Sequence, residues 1–594
     1  MKKINLLYPL FFLLFSFSTK AQTIELAGVK YTLNSASKTA TATHSDAEIT
    51  DVVIQPLVSY DGDDFTVTTL SERAFYSCRA LKTLKLPATI DSIGGYAFLG
   101  CQSLERVDTE SLESWLKIKF TNGFANPLVY AHHLYISGTL LNDLVLPDGL
   151  AKVPDNAFVG ASISSLKMPS SLTEIGSLAF YECTSLKNLN AGTNLRIIGV
   201  QAFDRCTGLV SATLAPALTH IGNYAFNECT ALSSVTFGAK IMEVGTDAFA
   251  GCDALRTVDI TDLKSWCEIE FANIKANPLT IAHNLTLNGQ IITKLDIPSG
   301  ISEIKPSAFA QCATIENVTL GPDVVKVGDK AFNSCPALES VICDGPVNTI
   351  GDYAFENCTK LHDFTLPSSL TSIGEYALYG TSVTDVTLPS QITTLPDGVF
   401  GQCAGLKTIR FNDNLKTIGF GCFYGCEQLQ DLQLPESIEK IGKSAFNGCR
   451  RLETVHLGGA TQSISAFAFG SCPALKDIYT ASIEPPIAPE STFSTYSATL
   501  HVPENSLTAY RDDSTWGRFE NIVTIESSTT EIQTSPPFII DGHTLNIASD
   551  QSETLEIALP NGKIIYRGLQ KKLKLSSGIY IIRLGRTIHK IKIG

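Results

Sequence analysis

The sequence predicts a β-rich repeat solenoid of short parallel strands joined by turns or 3₁₀ segments, with a cap at each end and a small β-sandwich-like C-terminal domain. Three observations predict this fold: a period of 23 residues, an apolar pattern within each period, and a change of pattern after residue 480. The period is clearest from Ile175 to Glu243. That stretch divides into three lines, IGSLAFYECTSLKNLNAGTNLRI, IGVQAFDRCTGLVSATLAPALTH and IGNYAFNECTALSSVTFGAKIME.

Each line follows the template I-G-x-x-A-F-x-x-C-x-x-L-x-x-h-x-h, where h is an apolar residue. The final apolar pair, such as Val235 and Phe237, has the period of two that is typical of a strand with one buried face. The Ala-Phe step predicts a tight helical or 3₁₀ turn. One coil cannot bury such a face alone, so successive coils must stack on one another.

The composition and the net charge limit the classes of function that this chain can have. The chain has 594 residues, which exceeds one ordinary globular core, and its 44% apolar and 18% charged residues are typical of a folded soluble protein. The net charge of −14 argues against sequence-independent nucleic-acid binding, which requires lysine and arginine to displace counterions from phosphates. The same charge disfavours acidic partners.

Residues 1–21 are predicted to be a signal peptide. Two lysines near the start precede an apolar stretch, Leu6–Phe17, and a cleavage position follows Ala21. The stretch is too short for a membrane span, so no transmembrane span is expected in the mature chain. The alternative, a buried N-terminal helix, is disfavoured by Pro9 within the stretch.

The repeat region is predicted to extend over residues 73–480, after an N-terminal cap at residues 22–72 that protects the open end of the stack. Two special modules near residues 110–150 and 261–301 interrupt the period, and they are related by an offset of 151 residues. They contain SWLKIKFTNGFANPLVYAHHLYISG and SWCEIEFANIKANPLTIAHNLTLNG. We interpret each as an elaborated coil on the same spine; an independent ligand-binding domain is the alternative.

The template ends near residue 480, and three further segments are predicted. Residues 481–526 form a C-terminal cap, residues 527–537 have linker composition, and residues 538–594 form a separate β domain. The apolar residues expected to cover the last coil are Phe493, Leu500, Val502, Tyr510, Trp516 and Phe519.

The repeats resemble a known family. The line LKTLKLPATI at residues 81–90 is similar to the leucine-rich repeat core L-x-x-L-x-L, although Pro87 and Thr89 stand where the common class has Asn or Cys. The 23-residue form with A-F-x-x-C resembles the BspA-like leucine-rich repeats of bacterial surface proteins, over Ala74 to Ile525. This resemblance implies a curved right-handed solenoid that serves in adhesion or ligand binding at the cell surface.

The tail resembles the C-terminal sorting domain of proteins exported by the type IX secretion system of certain Gram-negative bacteria. The matching segments are Asn561-Gly562-Lys563, Leu575, Ser577-Gly578-Ile579-Tyr580 and Lys590-Ile591-Lys592. The resemblance implies that Gly562, Gly578, Tyr580 and Lys590 act in sorting, with the secretion machinery as a partner. It also implies a secreted or outer-membrane, cell-surface location in a Gram-negative bacterium. An immunoglobulin-like stalk domain is the alternative.

Thirteen of the sixteen cysteines occupy the template position. Stacked coils hold equivalent Cα atoms about 4.8 Å apart, and because equivalent side chains point the same way, their Cβ atoms also stay beyond the 3.5–4.5 Å usual for a disulfide. We therefore predict a buried ladder of free thiols that act as small apolar side chains. Cysteines and histidines with metal-ligand spacing are lacking, so neither a metal site nor a cofactor is expected.

The sequence predicts no enzyme. It contains no G-x-S-x-G elbow, H-E-x-x-H motif, Walker loop or dinucleotide fingerprint. The histidines are scattered, and His132 and His283, which occupy equal places in the two modules, are interpreted as structural.

We expect a non-enzymatic cell-surface or secreted binding or adhesion protein that uses its strand face for an extracellular protein or matrix ligand. A carbohydrate-binding surface protein is the alternative, and an unrecognised secreted hydrolase is least favoured. The candidate ligand-binding residues lie between the two buried positions of each strand: Lys85, Asn190, Thr213, Thr236, Thr319, Thr365, Thr387, Arg410, Gln433, His456 and Tyr479. The threonines also suit any exposed strand, whereas Arg410 and Tyr479 are of the types that anchor interfaces.

Overall fold

The computed structural model describes residues 22–525 and, beyond them, 538–541, 544–547, 555–559, 564–568, 572–574, 578–584 and 587–593. The predicted signal peptide at residues 1–21 and the predicted linker at residues 527–537 lie outside the described residues. The chain divides into two compact units, one that ends at Thr524 and one that begins at Ile525.

The first unit is a β-solenoid, as the sequence predicts, and a typical coil contributes two strands to it. A long strand contains the h-x-h triplet, and a second strand of two residues ends at the template Ile. The Ala-Phe step is a turn rather than a helix, because the residue before Ala has a left-handed conformation, with φ of 55° at Leu178 and 57° at Tyr224. The sequence pattern predicted only the long strand, since two residues are too few to show a period.

The long strands are Asp51–Val53, Thr83–Leu86, Arg106–Thr109, Leu134–Ile136, Asp143–Val145, Ser165–Lys167, Asn188–Asn190, Ser211–Thr213, Ser234–Phe237, Thr257–Ile260, Leu285–Leu287, Lys294–Asp296, Asn317–Leu320, Ser340–Cys343, Asp363–Phe364, Asp385–Thr387, Thr408–Arg410, Asp431–Gln433, Thr454–Leu457, Asp477–Thr480, Thr499–Val502 and Asn521–Thr524. The short strands are Ser92–Ile93, Lys119–Phe120, Lys152–Val153, Glu174–Ile175, Ile197–Ile198, His220–Ile221, Glu243–Val244, Glu270–Phe271, Glu303–Ile304, Lys326–Val327, Thr349–Ile350, Ser372–Ile373, Thr394–Leu395, Thr417–Ile418, Lys440–Ile441 and Ser463–Ile464.

The N-terminal segment begins with antiparallel pairing and ends in the parallel stack. Gln22–Leu26 and Thr39–Ser45 pair antiparallel with the two sides of Val29–Asn34. Asp63–Leu70 then pairs antiparallel with Leu57–Tyr60 and parallel with Thr39–Ser45 and with the first short strand. The segment thereby joins an antiparallel meander to the parallel coils.

Parallel register places the same template position of each coil over that of the next. Ile175 pairs with Ile198, and Ile198 pairs with Ile221. Successive template phenylalanines stack with ring centroids 5.1–5.5 Å apart and planes within 15° of parallel. These buried columns are interrupted at the two special modules and at Leu378, which replaces Phe.

The template glycine is explained by the close approach of backbones. A Cβ atom on Gly222 would lie 2.6 Å from the carbonyl carbon of Gly199, and one on Gly199 would lie 2.7 Å from that of Gly176. Real Cβ atoms do not approach backbone so closely, so a larger residue would force neighbouring coils apart.

The template cysteines are buried thiols that also make a hydrogen bond. The Sγ–H of Cys206 donates to the carbonyl oxygen of Phe180, one coil earlier, at 3.1 Å, and Cys229 donates likewise to Phe203 at 3.2 Å. Cys403 donates to Leu378, which holds the Phe position, at 3.2 Å. Cysteine is therefore both a small apolar residue and a weak donor that adds a second hydrogen bond to a buried carbonyl oxygen.

Each special module adds a coil with short helices to the same spine. The first contains Leu112–Lys117, the 3₁₀ turn Gly123–Ala125 and Leu128–Ala131; the second contains Leu263–Cys267, Ile274–Ala276 and Leu279–Ala282. The two modules share their internal hydrogen bonds. Trp115 Nε1 donates to the Ala157 carbonyl at 2.9 Å, and Trp266 Nε1 donates to the Ala308 carbonyl at 3.0 Å.

The duplicated asparagine and histidine of the modules are structural. Asn126 donates to the Asn156 carbonyl at 2.8 Å while it accepts from Leu128 N at 2.9 Å, and Asn277 makes the equivalent bonds. His132 and His283 end their helices in left-handed conformations, and each Nδ1 lies within 3.0 Å of a carbonyl oxygen of the following coil.

A β-hairpin ends each module and interrupts the long-strand ladder. Leu134–Ile136 pairs antiparallel with Thr139–Leu140, and Leu285–Leu287 pairs antiparallel with Gln290–Ile291. The next long strand belongs to a new sheet in both places. The hairpins therefore divide the long-strand ladder into separate sheets.

The C-terminal end of the solenoid continues the long-strand sheet and closes it with aromatic residues. Thr499–Val502 and Asn521–Thr524 extend the sheet, and they are joined by the 3₁₀ turn Glu504–Ser506, the helix Leu507–Asp512 and the 3₁₀ turn Trp516–Arg518. A further 3₁₀ turn, Glu490–Thr492, precedes Thr499–Val502. The apolar residues that the sequence assigned to this cap are buried: Phe493, Leu500, Val502, Tyr510, Trp516 and Phe519.

The second unit consists of antiparallel strands in two sheets. Thr544–Ile547 pairs with Phe538–Asp541 and with Lys572–Lys574. The other sheet has the order Ile564–Gly568, Leu555–Ala558, Gly578–Leu584 and Thr587–Ile593. This arrangement agrees with the predicted small β domain.

We expect Gly222→Ala to destabilise the solenoid by about 1–3 kcal/mol, the usual cost of overpacking, because its methyl group would clash with the Gly199 backbone. Urea unfolding followed by circular dichroism measures this change. Gly405→Ala is the matched control, since the nearest atom to its added methyl lies 3.7 Å away, at ordinary contact distance. Equal unfolding midpoints for the two variants would contradict the close-approach role of the template glycine.

We expect the cysteines to be reduced and, in the native protein, mostly unreactive at pH 8. Burial raises the pKa of Cys101 to about 12 and that of Cys403 to about 11, so little reactive thiolate is present. Alkylation with iodoacetamide, analysed by mass spectrometry, should label half-buried Cys343 first and all sixteen cysteines only in denaturant without reductant. Cysteines blocked as disulfides in denaturant would contradict the ladder.

Candidate functional site

The outward side of the long strands carries two parallel rows of side chains. In Thr454–Leu457, Val455 and Leu457 are buried, whereas Thr454 and His456 face outward. Because the strands pair in register, Thr454 lies beside Asp477 of the next coil and His456 lies beside Tyr479. We call this surface the long-strand face.

Every predicted ligand-binding residue lies on the long-strand face, and none is buried. Strand pairing brings some of them together in three groups: Asn190, Thr213 and Thr236; Thr387 and Arg410; and Gln433, His456 and Tyr479. The others have different neighbours: Lys85 pairs with Val53 and Asp108, Thr319 pairs with Asp296 and Ile342, and Thr365 directly follows Asp363–Phe364.

Three aromatic side chains stack on the C-terminal part of this face. The ring centroids of His456 and Tyr479 are 4.5 Å apart with planes 8° from parallel, and those of Tyr479 and His501 are 4.1 Å apart with planes 10° from parallel. We call His456, Tyr479 and His501 the aromatic column. Both faces of the Tyr479 ring are covered by imidazoles, so the column presents ring edges to the solvent.

Carboxylates recur in the other outward row, and one of them, Asp477, lies on the same strand as Tyr479 of the aromatic column. Asp363, Asp385, Asp431 and Asp477 hold the first position of their strands, and we call them the acidic row. Arg410 is the one basic residue in the outward rows of the described strands from Ser340–Cys343 to Asn521–Thr524. This part of the face is therefore negatively charged overall.

The aromatic column contacts the acidic row directly. His501 Nε2 lies 2.8 Å from Asp477 Oδ1, which orients that imidazole. Burial lowers the pKa of His456; His501 lowers it further, and Asp431 opposes the shift. His456 is therefore expected to be neutral at physiological pH.

Sequence reasoning missed several outward residues. His501 belongs to the same triplet pattern, Leu500-His501-Val502, but it lies in the segment interpreted as a cap. Asp259, Asp296 and Ile342 also stand between two apolar residues and could have been found from the triplet alone. Asp108 was harder to find, since its strand buries Thr109 rather than an apolar residue.

The N-terminal part of the face is different. Arg106 donates to both carboxylate oxygens of Asp108 at 2.6 and 2.7 Å, and its guanidinium lies 3.9 Å from the Tyr135 ring centroid. A cavity of about 690 Å³ lies there between Lys85, Arg106 and the module hairpin at Ser137. Because Arg106 is paired with Asp108, Lys85 is the more available of these two cations.

The described part of the chain contains no group of three or more His, Cys, Asp or Glu side chains placed to hold a metal ion. Among the described residues, no helix is long and apolar enough to cross a membrane.

A family model described as "BspA type Leucine rich repeat region (6 copies)" matches residues 63–124, 135–256, 280–407 and 371–498, which is more than half of the chain. The chain belongs to the BspA-type leucine-rich repeat family. The resemblance drawn from the repeat template is confirmed, whereas that of the tail to a sorting domain stays a prediction.

Solved structures similar to this BspA-type protein come from several bacteria. A leucine-rich repeat protein from Bacteroides ovatus is 21% identical with a TM-score of 0.37, and the match covers 77% of this chain and 94% of that protein. A leucine rich cell surface protein from Faecalibacterium prausnitzii is 23% identical with a TM-score of 0.37, and the match covers 66% of this chain and 94% of that protein. The pneumococcal vaccine antigen PcpA is 16% identical with a TM-score of 0.29, and the match covers 85% of this chain and 99% of that protein. No curated protein sequence matches the chain.

Proposed function

We propose that this BspA-type protein is a non-enzymatic surface or secreted adhesion protein, and that an extracellular protein or matrix ligand binds at the C-terminal part of its long-strand face. The observation that carries the proposal is the aromatic column beside the acidic row. Tyrosine is among the residue types enriched at the centres of protein interfaces. A stack of more than twenty strands also presents an area suited to a large partner.

The geometry of the column favours a protein ligand over the alternative, a carbohydrate. Sugar rings pack on open aromatic faces, whereas both faces of Tyr479 are covered by His456 and His501. Ring edges and the Tyr479 hydroxyl can instead pack against and hydrogen-bond to the side chains of a protein. The acidic row further favours a partner that presents lysine or arginine at this place.

The proposed location is the cell surface or the medium of a Gram-negative bacterium. Export is supported by the signal peptide predicted at residues 1–21, and a Gram-negative source is supported by the resemblance of the tail to a type IX sorting domain. The tail, from residue 538 onward, is proposed to be a type IX sorting domain that contacts the secretion machinery.

The proposed sorting residues have the following positions. Gly578 begins the strand Gly578–Leu584, which also contains Tyr580, and Lys590 lies in the adjacent strand opposite Ile581. Gly562 lies outside the described residues. The pairing of Gly578–Leu584 with Thr587–Ile593 brings two parts of the proposed motif, Gly578–Tyr580 and Lys590–Lys592, into one sheet.

We expect Tyr479→Ala with His501→Ala to weaken binding to a matrix-protein ligand by at least about tenfold, equivalent to about 1.4 kcal/mol, because the pair removes the centre of the column. The ligand is found by screening the full chain against matrix proteins and a glycan array, and affinity is measured by biolayer interferometry.

Thr213→Ala with Thr236→Ala is the matched control, since both residues hold the same strand position on the middle of the face. Asp385→Asn with Asp431→Asn tests the charge of the partner and should weaken binding of a basic ligand most at low salt. Equal effects of the column and control variants would exclude the aromatic column as the site. A signal on glycans alone would support the carbohydrate alternative.

We expect deletion of residues 538–594 to leave the solenoid folded and able to bind, but to prevent its appearance outside the outer membrane. The second unit is compact by itself, so its removal leaves the coils intact. Protease accessibility on whole cells measures surface display, and circular dichroism of the purified chain serves as the control. Normal display of the shortened chain would refute the sorting assignment.

A further inference from the structure

A groove on the turn side of the solenoid lies where the first special module meets the following coils. Its volume is about 580 Å³. The apolar part of its lining consists of Tyr96, Phe124, Val129, Val159, Leu178 and Tyr181, and we call it the module-one groove. It belongs to the turns and not to the long-strand face, so it is separate from the proposed ligand site.

Two aromatic rings of the groove are exposed to solvent. Tyr96 and Phe124 are each 41% exposed, and their rings lie 6.3 Å apart with planes 21° from parallel. Single exposed apolar side chains are ordinary, but here they are contiguous with Val129, Val159 and Leu178 around one cavity. This clustering of apolar side chains around a solvent-exposed cavity indicates a binding site.

The second module shows that the fold does not need these apolar side chains. With the offset of 151 residues, Tyr96 corresponds to Asp247, and Phe124 corresponds to Lys275. The backbone contacts are nevertheless the same in both modules. Asn122 Oδ1 accepts from the backbone nitrogens of Tyr96 and Ala125, and its counterpart Asn273 accepts from those of Asp247 and Ala276.

Three further apolar lining positions differ in the same direction. Val129 corresponds to Thr280 and Val159 to Ala310. The coil after the first module is one residue shorter, so that Leu178, before the Ala-Phe step, corresponds to Lys330. At these five positions the first copy therefore carries apolar side chains where the second carries polar, charged or smaller ones, whereas Gly123 and Gln201 change the other way, to Ile274 and Tyr353.

The rim of the groove disfavours anions. Arg205 lies 3.4 Å from Glu182 and 3.0 Å from Glu228, so two carboxylates face its single positive charge. Burial, together with the nearby charge of Glu182, raises the pKa of Tyr181 to about 12, which keeps its phenol neutral. The aromatic rings add negative faces that attract cations.

We propose that the module-one groove binds a small neutral or cationic aromatic molecule. The volume is within the range of about 300–1,000 Å³ that is typical of small-molecule sites. The rings of Tyr96, Phe124 and Tyr181 supply the stacking surfaces, and Asn122 Nδ2 and Gln201 Oε1 supply a hydrogen-bond donor and an acceptor at the rim. The role of this groove is independent of the adhesion surface.

The test uses the full chain and two fluorescent probes, neutral N-phenyl-1-naphthylamine and anionic 8-anilinonaphthalene-1-sulfonate. We expect the neutral probe to bind saturably with one probe per chain and more tightly than the anionic one. Tyr96→Asp with Phe124→Lys should reduce its affinity at least about tenfold, which corresponds to about 1.4 kcal/mol. These replacements are the residues that the second module already carries at the same backbone positions, and Phe124→Ala serves as a second variant should the first fail to fold.

Met242→Ala with Ile342→Ala is the control, since these side chains are 62% and 53% exposed and lie elsewhere on the solenoid. Their removal should leave the affinity unchanged. Probe binding that does not saturate, that is absent, or that persists in the groove variants would overturn the proposal. Tighter binding of the anionic probe would overturn the assigned charge of the ligand.

Discussion

The whole solenoid depends on one constraint, the fixed separation of coils that are joined by backbone hydrogen bonds. Strands pair at about 4.8 Å, so each side chain must pack against its own equivalent one coil away. Few residue types meet that condition in a buried column. Phe can stack as offset rings, Gly permits backbone contact, and Cys fills a small space while donating to a carbonyl oxygen.

The same constraint explains the special modules and their consequences. An added coil keeps the spine continuous because Trp115 and Asn126 bond to backbone carbonyls of the following coil, as Trp266 and Asn277 do in the second module. The hairpin after each module ends a sheet, which separates the small polar side chains of the middle coils from the aromatic column. Duplication then allows the two modules to differ at exposed positions without a change of backbone.

Register stacking also acts on exposed residues. His456, Tyr479 and His501 stack because parallel pairing places them side by side, which is the arrangement that aligns the buried Phe rings. In the core, in-register stacking buries apolar area. On the long-strand face, the same stacking holds the three side chains of the aromatic column in one orientation before a ligand binds. Such preorganisation lowers the entropy that binding would otherwise cost. The strand that supplies His501 belongs to the segment that closes the stack, and it also completes this site.

The sequence by itself determined the repeat, the long strands, the buried positions and most of the outward row, because a 23-residue period repeats the same local pattern many times. It missed the short strands, since two residues show no period. Only the tertiary structure decided which outward residues are neighbours, that His501 of the cap joins Tyr479, and that Tyr96 and Phe124 share a groove with Leu178 and Tyr181. The reason is physical: local apolar spacing specifies which side of a strand is buried, whereas contacts between coils depend on register, on the interruptions made by the modules, and on where each sheet ends.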